Sequence, residues 1–407
     1  MEPALRIILI KGRSTYDLLR AFIDDAATGF AEAGHAPEIL DVVAEPDIGA
    51  GLARRAAEAP IDLVYSLNIL GDFRDPEGRT LGDIAGAPHV LHFVDHPLSH
   101  LERLEKTPAN AAVLTIDPSH ADAIVSIYGE DRFAYVGFCP HAAVGPTTSP
   151  GADVGAFQAS RPIPILFPGT YAPVGAPPWS AMQAGVQRLF EAAVEIALAS
   201  EWTAGHLALD AAMRSAGLSP EDPQFSGFRK LASYVHERVR AVRRTQVLDA
   251  AARAGLLVHV AGKGYDSLLA RFPNLTFAGD VGFLDSVTLM ARSRVVLNIN
   301  ANFGAGSHER PLCALNAGAA AISDLSSFYA DHFEEGREMS LYRWRDLGAG
   351  IAALSELAGD PRAAFEMATA GQVKVLAGHR WKHRAAVIIA AAEQARSRLS
   401  APALRKD

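Results

Sequence analysis

The chain has 407 residues, 49% of them hydrophobic, and 38 Lys and Arg against 46 Asp and Glu leave a net charge of −8 at pH 7. One ordinary core cannot organise that length, so two domains of comparable size are expected. A mildly acidic chain without a basic block argues against a nucleic-acid surface.

The N-terminus runs straight into a strand-like RIILIKG, without the basic stretch, apolar helix and cleavage site of a signal peptide. No segment approaches the ~20 unbroken apolar residues of a membrane span, so a soluble protein without an integral membrane segment is expected. Short apolar runs then alternate with helical patterns. Arg6–Ile10, Glu38–Val43, Ile61–Leu67, His89–Val94, Ala112–Ile116 and Phe133–Phe138 read as strands, with Ser14–Ala33 and His120–Tyr128 among the helices between them. Such alternation predicts a parallel sheet covered on both faces, a Rossmann-like domain. Cys139 and Cys313 have no CxxC partner and lie in apolar settings. That points away from a disulfide scaffold or thiolate metal site and makes a reducing, cytoplasmic home the default.

Residues 142–161, AAVGPTTSPGADVGAFQASR, are rich in Gly, Pro, Ser and Thr and lack an apolar period, so they read as the linker. The first domain is placed at 1–150 and the second at 151–407. Strands of the second are expected at Ile163–Phe167, Leu256–Ala261, Leu275–Phe277, Val295–Ile299 and Ala319–Ile322. The fold class is therefore α/β, two Rossmann-like domains facing across a cleft. Roughly eighty residues separate Tyr171 from Gly255, far more than a simple βα connection needs. Tyr234–Ala254 reads as the ordinary crossover helix and about 178–228 as a helical insertion. The insertion can cover the acceptor side of the cleft, make a homodimer contact or serve packing alone. A final helix near Trp381–Leu399 is placed to brace the first domain.

Residues 295–310, VVLNINANFGAGSHER, carry the strongest functional signal. An apolar strand enters a glycine-bearing loop, and polar residues stand where the helix Pro311–Ala317 begins, before Gly318 and the strand AAAISD. In a βαβ unit that loop faces the ligand side of the sheet. Arg310 offers a forked cation for phosphate oxygens, Ser307 and free backbone N–H groups can cradle the same anion, and Glu309 can accept from sugar hydroxyls. A purely local reading makes Ser307 an N-cap, Glu309 a first-turn acid and Arg310 a surface ion pair. The spacing of His89, His92, His96 and His100 suggests zinc, because histidines four apart share a helix face. The run is strand-like and Pro97 breaks it, so helical spacing does not apply and no metal is expected.

The stretch LNINANFGAGSHERPLCALNAGAAAISD, with the preceding TFAGDVGFLDSVTLMARSRVVLNI and its G-x-V turn before a helix and the LN strand, resembles glycosyltransferases of the two-Rossmann GT-B type. More narrowly it resembles the CgeB-like bacterial glycosyltransferases. The likeness spans about Leu256 to Trp344 and is only architectural in the N-terminal half. Many retaining GT-B enzymes carry two glutamates eight positions apart here. This chain has Glu309 alone, followed by Cys313 and Asn316, which leaves inversion or retention open. No Asp-x-Asp motif occurs, as expected for metal-independent donor binding.

The resemblance implies a nucleotide-diphosphate sugar as donor and no further cofactor, with the donor at the carboxyl ends of the second domain's strands. Three loops are expected to line it: Pro168–Tyr171 with Gly169 and Thr170, Gly262–Tyr265 with Lys263 and Tyr265, and Gly304–Arg310 with Ser307, His308, Glu309 and Arg310. Lys263 can neutralise a phosphate or simply be solvated on a tight turn. Tyr265 can stack on a base or pack at the rim, and the turn Gly279–Gly282 can hold the base through backbone atoms. Transfer needs a base for the acceptor hydroxyl. Asp95 or His96, at the end of a first-domain strand, is the candidate, with Asp117–His120 and His141 as competitors. Charge on the departing diphosphate would be met by Arg310, Lys263 and the amides opening the helix, while domain closure would exclude water. The acceptor, whether glycan, protein or small molecule, is not identified. Two alternatives are a nucleotide-sugar epimerase on the same fold and a non-catalytic sugar-nucleotide-binding subunit.

Overall fold

The computed structural model describes residues 3–68, 71–300 and 303–400. Ala301 and Asn302, which belong to the 295–310 segment, lie outside the described residues. The chain divides into two compact units, Met1–His141 with Arg380–Asp407, and Ala142–His379.

The first unit holds six parallel strands: β1 (Arg6–Lys11), β2 (Ala36–Asp41), β3 (Leu63–Leu67), β4 (His89–Phe93), β5 (Ala112–Thr115) and β6 (Tyr135–Phe138), in the order β2-β1-β3-β4-β5-β6. Helices cover both faces, so β3, β4 and β5 are buried along their whole length, which is why they read as unbroken apolar runs. Each expected strand is present, within a few residues at either end. The helix Lys382–Ser400 belongs to this unit. Gly29 on the helix Leu18–Glu32 admits its start so closely that a Cβ there would lie 2.6 Å from the Lys382 backbone nitrogen. Further along, Arg384 donates to the His141 carbonyl at 2.8 Å and Arg396 to that of Asp62 at 2.7 Å.

The second unit repeats the plan with β7 (Ile163–Pro168), β8 (Val258–Ala261), β9 (Leu275–Gly279), β10 (Ser293–Leu297), β11 (Ala320–Asp324) and β12 (Ser340–Tyr342), in the order β12-β11-β10-β7-β8-β9, all parallel. The short β12 was not expected. The segment read as a linker is instead knitted into this unit. Its end folds into the helix Val154–Ser160, Phe157 enters the core, and buried Arg161 donates to the carbonyls of Ser149, Ala291, Ser293 and Ala317. Among the described residues no carboxylate pairs with Arg161, and burial draws its pKa down to about 10. Ala184–Leu198 and Gly205–Ser215 form the helical insertion, and Ala232–Arg253 is the crossover helix. An aromatic cluster ties the insertion to the crossover helix, with Trp179 stacked on Phe190, Phe228 beside it and Tyr234 reaching it from the crossover helix. Among the described residues no helix is long and apolar enough to cross a membrane.

Candidate functional site

Strand order fixes where a ligand can sit. In the second unit the chain runs from β7 outward through β8 and β9, then returns to the other side of β7 with β10. The loops leaving β7 and β10 therefore diverge and leave a crevice at the carboxyl ends of the strands. Arg310 lies in that crevice. Its guanidinium packs against Gly169, just beyond β7, and donates to Asn298 Oδ1, just beyond β10, at 3.1 Å. Gly169 has φ +142°, and a Cβ there would stand 3.5 Å from the guanidinium carbon. The Arg310 side chain is 13% exposed, so it is neither in bulk solvent nor sealed away.

His308 and Glu309 hold Arg310. The His308 ring nitrogen Nδ1 lies 2.5 Å from Glu309 Oε2, and its Nε2 lies 2.9 Å from an Arg310 terminal nitrogen. A guanidinium cannot accept, so Nε2 must, and the proton sits on Nδ1 facing the carboxylate. Burial, reinforced by the Arg310 charge, pushes the His308 pKa below its ordinary value and favours this neutral tautomer. The Tyr329 hydroxyl pins the same residue by accepting from its N–H at 2.9 Å and donating to its carbonyl at 3.1 Å. The helix is Glu309–Asn316 with His308 at the N-cap and no side-chain cap, so the local reading of Ser307 as the cap does not hold.

The other two loops converge on the same end of the sheet. Gly169 N–H donates to the Ala261 carbonyl and Tyr171 N–H to that of Lys263, each at 2.8 Å. Only glycine fits this approach: Gly264 has φ +89°, and a Cβ would stand 2.0 Å from the Tyr171 carbonyl oxygen. Thr170 and Lys263 are exposed, and Lys263 pairs with Asp280 at 3.7 Å.

Three expectations change with depth. Tyr265 is 1% exposed, stacked on Tyr171 and bonded through its hydroxyl to the Gly169 carbonyl, so its ring shapes the loop and offers no face to a base. Ser307 is 0% exposed and its hydroxyl, which has no hydrogen-bond partner, is out of a ligand's reach. Glu309 is 5% exposed and engaged with His308, so it orients that ring and has little left for sugar hydroxyls.

One residue was missed. Arg244, on the crossover helix, is buried beside Arg310 and donates to the Thr170 carbonyl. Burial first, and the Arg310 charge second, draw its pKa well below the ordinary guanidinium value, to about 9. Its Nε has no hydrogen-bond partner, and among the described residues no carboxylate lies within salt-bridge distance. Among the described residues two guanidiniums share this crevice, and the carboxylate within salt-bridge distance of Arg310 is that of Glu309, at 4.0 Å. A buried cation without compensation is costly, and an anionic ligand resolves the imbalance.

In the first unit the crevice lies between β1 and β3. Tyr16 and Asp17 after β1 and Asn68 after β3, at φ between 53 and 60°, are the non-glycine residues in the left-handed region among those described. Such strain gathers at ligand sites. The sequence reading passed over this loop, although GRST after β1 occupies the position that PGTY takes after β7. Asn68 bonds Asp95 Oδ2 through its amide nitrogen at 2.8 Å, and His100 Nε2 lies 3.3 Å from the same oxygen. Asp95 is exposed, whereas His96 is buried against His120 and accepts the Leu98 N–H through Nδ1. Asp117 caps the helix Pro118–Tyr128. His141 and His120 are buried, and His89 and His92 bond Ser66 and Tyr65 at 2.8 Å each. Among the described residues no group of three or more His, Cys, Asp or Glu is placed to hold a metal.

Residues 243–390 match the model of a family described as glycosyl transferase-like. No curated protein matches in sequence. Among solved structures, sucrose-phosphate synthase from Thermosynechococcus elongatus is 11% identical, with a TM-score of 0.51 over 97% of this chain and 99% of that one. An α-glucosyltransferase solved with UDP-glucose and DNA containing an abasic site is also 11% identical, with a TM-score of 0.50 over 93% and 96%. The Anabaena protein HepE, solved with UDP-glucose, is 12% identical, with a TM-score of 0.48 over 98% and 100%. The two parallel six-stranded sheets with flanking helices are those of the GT-B architecture.

Proposed function

We propose that this glycosyltransferase of the GT-B fold moves a sugar from a nucleoside diphosphate to an acceptor hydroxyl, and that Arg310 and Arg244 together grip the donor's diphosphate. The supporting observation is the pair of guanidiniums at the switch point between β7 and β10, with Glu309 the carboxylate that, among the described residues, lies within salt-bridge distance of them. Charge builds on the diphosphate as the bond to the anomeric carbon breaks, and cations fixed before the reaction lower that barrier without reorganising. In this reading the two arginines supply the positive charge that a metal would otherwise bring, and no cofactor beyond the donor is needed. Gly169, Thr170 and Lys263 form the rest of the phosphate cradle, and His308 with Glu309 holds Arg310 in register. Asp95 takes the acceptor proton.

The stretch LNINANFGAGSHERPLCALNAGAAAISD supports a finer placement with the CgeB-like enzymes. Cys139 and Cys313 are buried thiols, which suits a cytoplasmic setting. Uridine nucleotides are the first donors to test, since UDP-glucose is bound in the structurally similar α-glucosyltransferase. Calorimetric titration with UDP is expected to give binding that Arg310→Ala weakens about a hundredfold. Equal affinity in the parent and Arg310→Ala would overturn the assignment. Product analysis separates transfer, which releases free diphosphate with a glycosylated product, from epimerisation, which returns an isomeric donor.

A further inference from the structure

We infer that the helical insertion is a brace that sets the position of the donor loop 303–310, with Glu201, Arg243 and Trp344 as positioning residues; this rests on the reading of that loop as part of the diphosphate site. A doubly wound domain needs only the crossover helix between β7 and β8. The added turn joining Ala184–Leu198 to Gly205–Ser215 is tied by directional polar bonds to the segment after β12. Glu201 accepts the backbone N–H groups of Trp344 and Arg345, each at 2.8 Å. Buried Arg243 donates to the carbonyls of Ala197, at 3.0 Å, and Ser200, and its guanidinium lies 4.9 Å from the centre of the Trp344 ring.

Trp344 passes the constraint inward. Its indole N–H donates to Asp324 Oδ2 at 3.0 Å, and the other oxygen of Asp324, at the end of β11, accepts the Asn300 N–H. The Asn300 amide nitrogen then donates to the carbonyls of Phe303, at 2.7 Å, and Gly306, at 3.3 Å, which sets the curve of the loop ahead of His308 and Arg310. The insertion also touches the loop directly. A Cβ on Gly304 would meet the Trp202 Cβ and carbonyl oxygen at 2.5 Å, so only glycine lets the two backbones approach this closely. Packing alone would call for apolar contacts. A relay of acceptors and donors running from half-buried Glu201 and Trp344 through buried Asp324 and Asn300 to Gly306 fixes direction as well as distance.

Trp344→Phe keeps a ring under Arg243 and removes only the N–H to Asp324; Glu201→Gln is the milder second variant. Ligand-free amide hydrogen exchange over Phe303–Arg310 is expected to accelerate about tenfold in Trp344→Phe while β3 and β4 exchange as in the parent. Affinity for UDP is expected to fall about three- to tenfold, with the melting temperature nearly unchanged. Unaltered loop exchange in both variants would overturn the brace. Faster loop exchange with unaltered UDP affinity would overturn its role in positioning. A parent protein that binds neither UDP nor inorganic pyrophosphate would sink the donor-site reading instead, and the exchange measurement would still decide whether the brace exists.

Discussion

Replacing Arg244 by methionine should make the ligand-free protein more stable and the liganded protein weaker. The stem of the side chain survives in Arg244→Met, so its packing is retained and only the charged head is lost. In the ligand-free state the pKa of that head is drawn down to about 9, well below its ordinary value. At ~1.36 kcal/mol per pKa unit this sets about 5 kcal/mol against the ionised form at neutral pH. The charge-assisted bond to the Thr170 carbonyl and the guanidinium's position 5.9 Å from the Phe167 ring return about half of it. A net gain of about 2 kcal/mol remains, or roughly 4–8 °C in melting temperature for a domain of this size. Losing one charge-assisted contact to a diphosphate costs about 1.5–3 kcal/mol, so UDP affinity should drop about ten- to a hundredfold. Differential scanning calorimetry without ligand and isothermal titration with UDP read the two effects separately. A variant that melts lower and binds UDP as well as the parent would make Arg244 a structural strut and refute the argument.

Asp95→Asn is expected to leave UDP affinity intact and to lower transfer about a hundredfold or more, measured as diphosphate release in the presence of acceptor. Gly264→Ala forces a Cβ onto the Tyr171 carbonyl at an unfavourable φ and should cost about 1–3 kcal/mol in chemical denaturation, with weaker UDP binding. His308 has a folded pKa below its unfolded value, so its contribution to stability is complete above about pH 6.5 and shrinks as the pH falls toward the folded value. Protonation also turns Nε2 into a donor against Arg310. UDP affinity followed from about pH 8 down to 5 should therefore fall on the acid side, and His308→Gln should flatten that limb.

The strand pattern was legible because both sheets are parallel and covered on both faces, which leaves unbroken apolar runs between turn residues. The convergence of PGTY, AGKGY and SHER was legible for the same reason, since parallel strands deliver every outgoing loop to one end. Depth was not legible. Nothing in the spelling of GAGSHER says that Ser307 sinks out of reach while Arg310 stays at the surface of the crevice, because that depends on the Tyr329 hydroxyl a helix away. Arg244 was hidden among Arg238, Arg240, Arg243 and Arg253 on one helix, and only the loop that brings Thr170 against it distinguishes it. The strand Ser340–Tyr342 is too short for a period of two to register, and residues 142–161 read as a linker because Arg161 secures them through carbonyl oxygens, which leave no mark in composition.

The helix Lys382–Ser400 has a consequence for how the protein is made. It completes the first sheet's covering, with Trp381 beside Gly29 and Arg384, Arg396 and Arg398 capturing carbonyls of His141, Asp62 and Phe133. Yet it leaves the ribosome only after all of Ala142–His379 has emerged. The earlier-synthesised unit must wait half-finished, its seam open, while the later one has every residue it needs to close first.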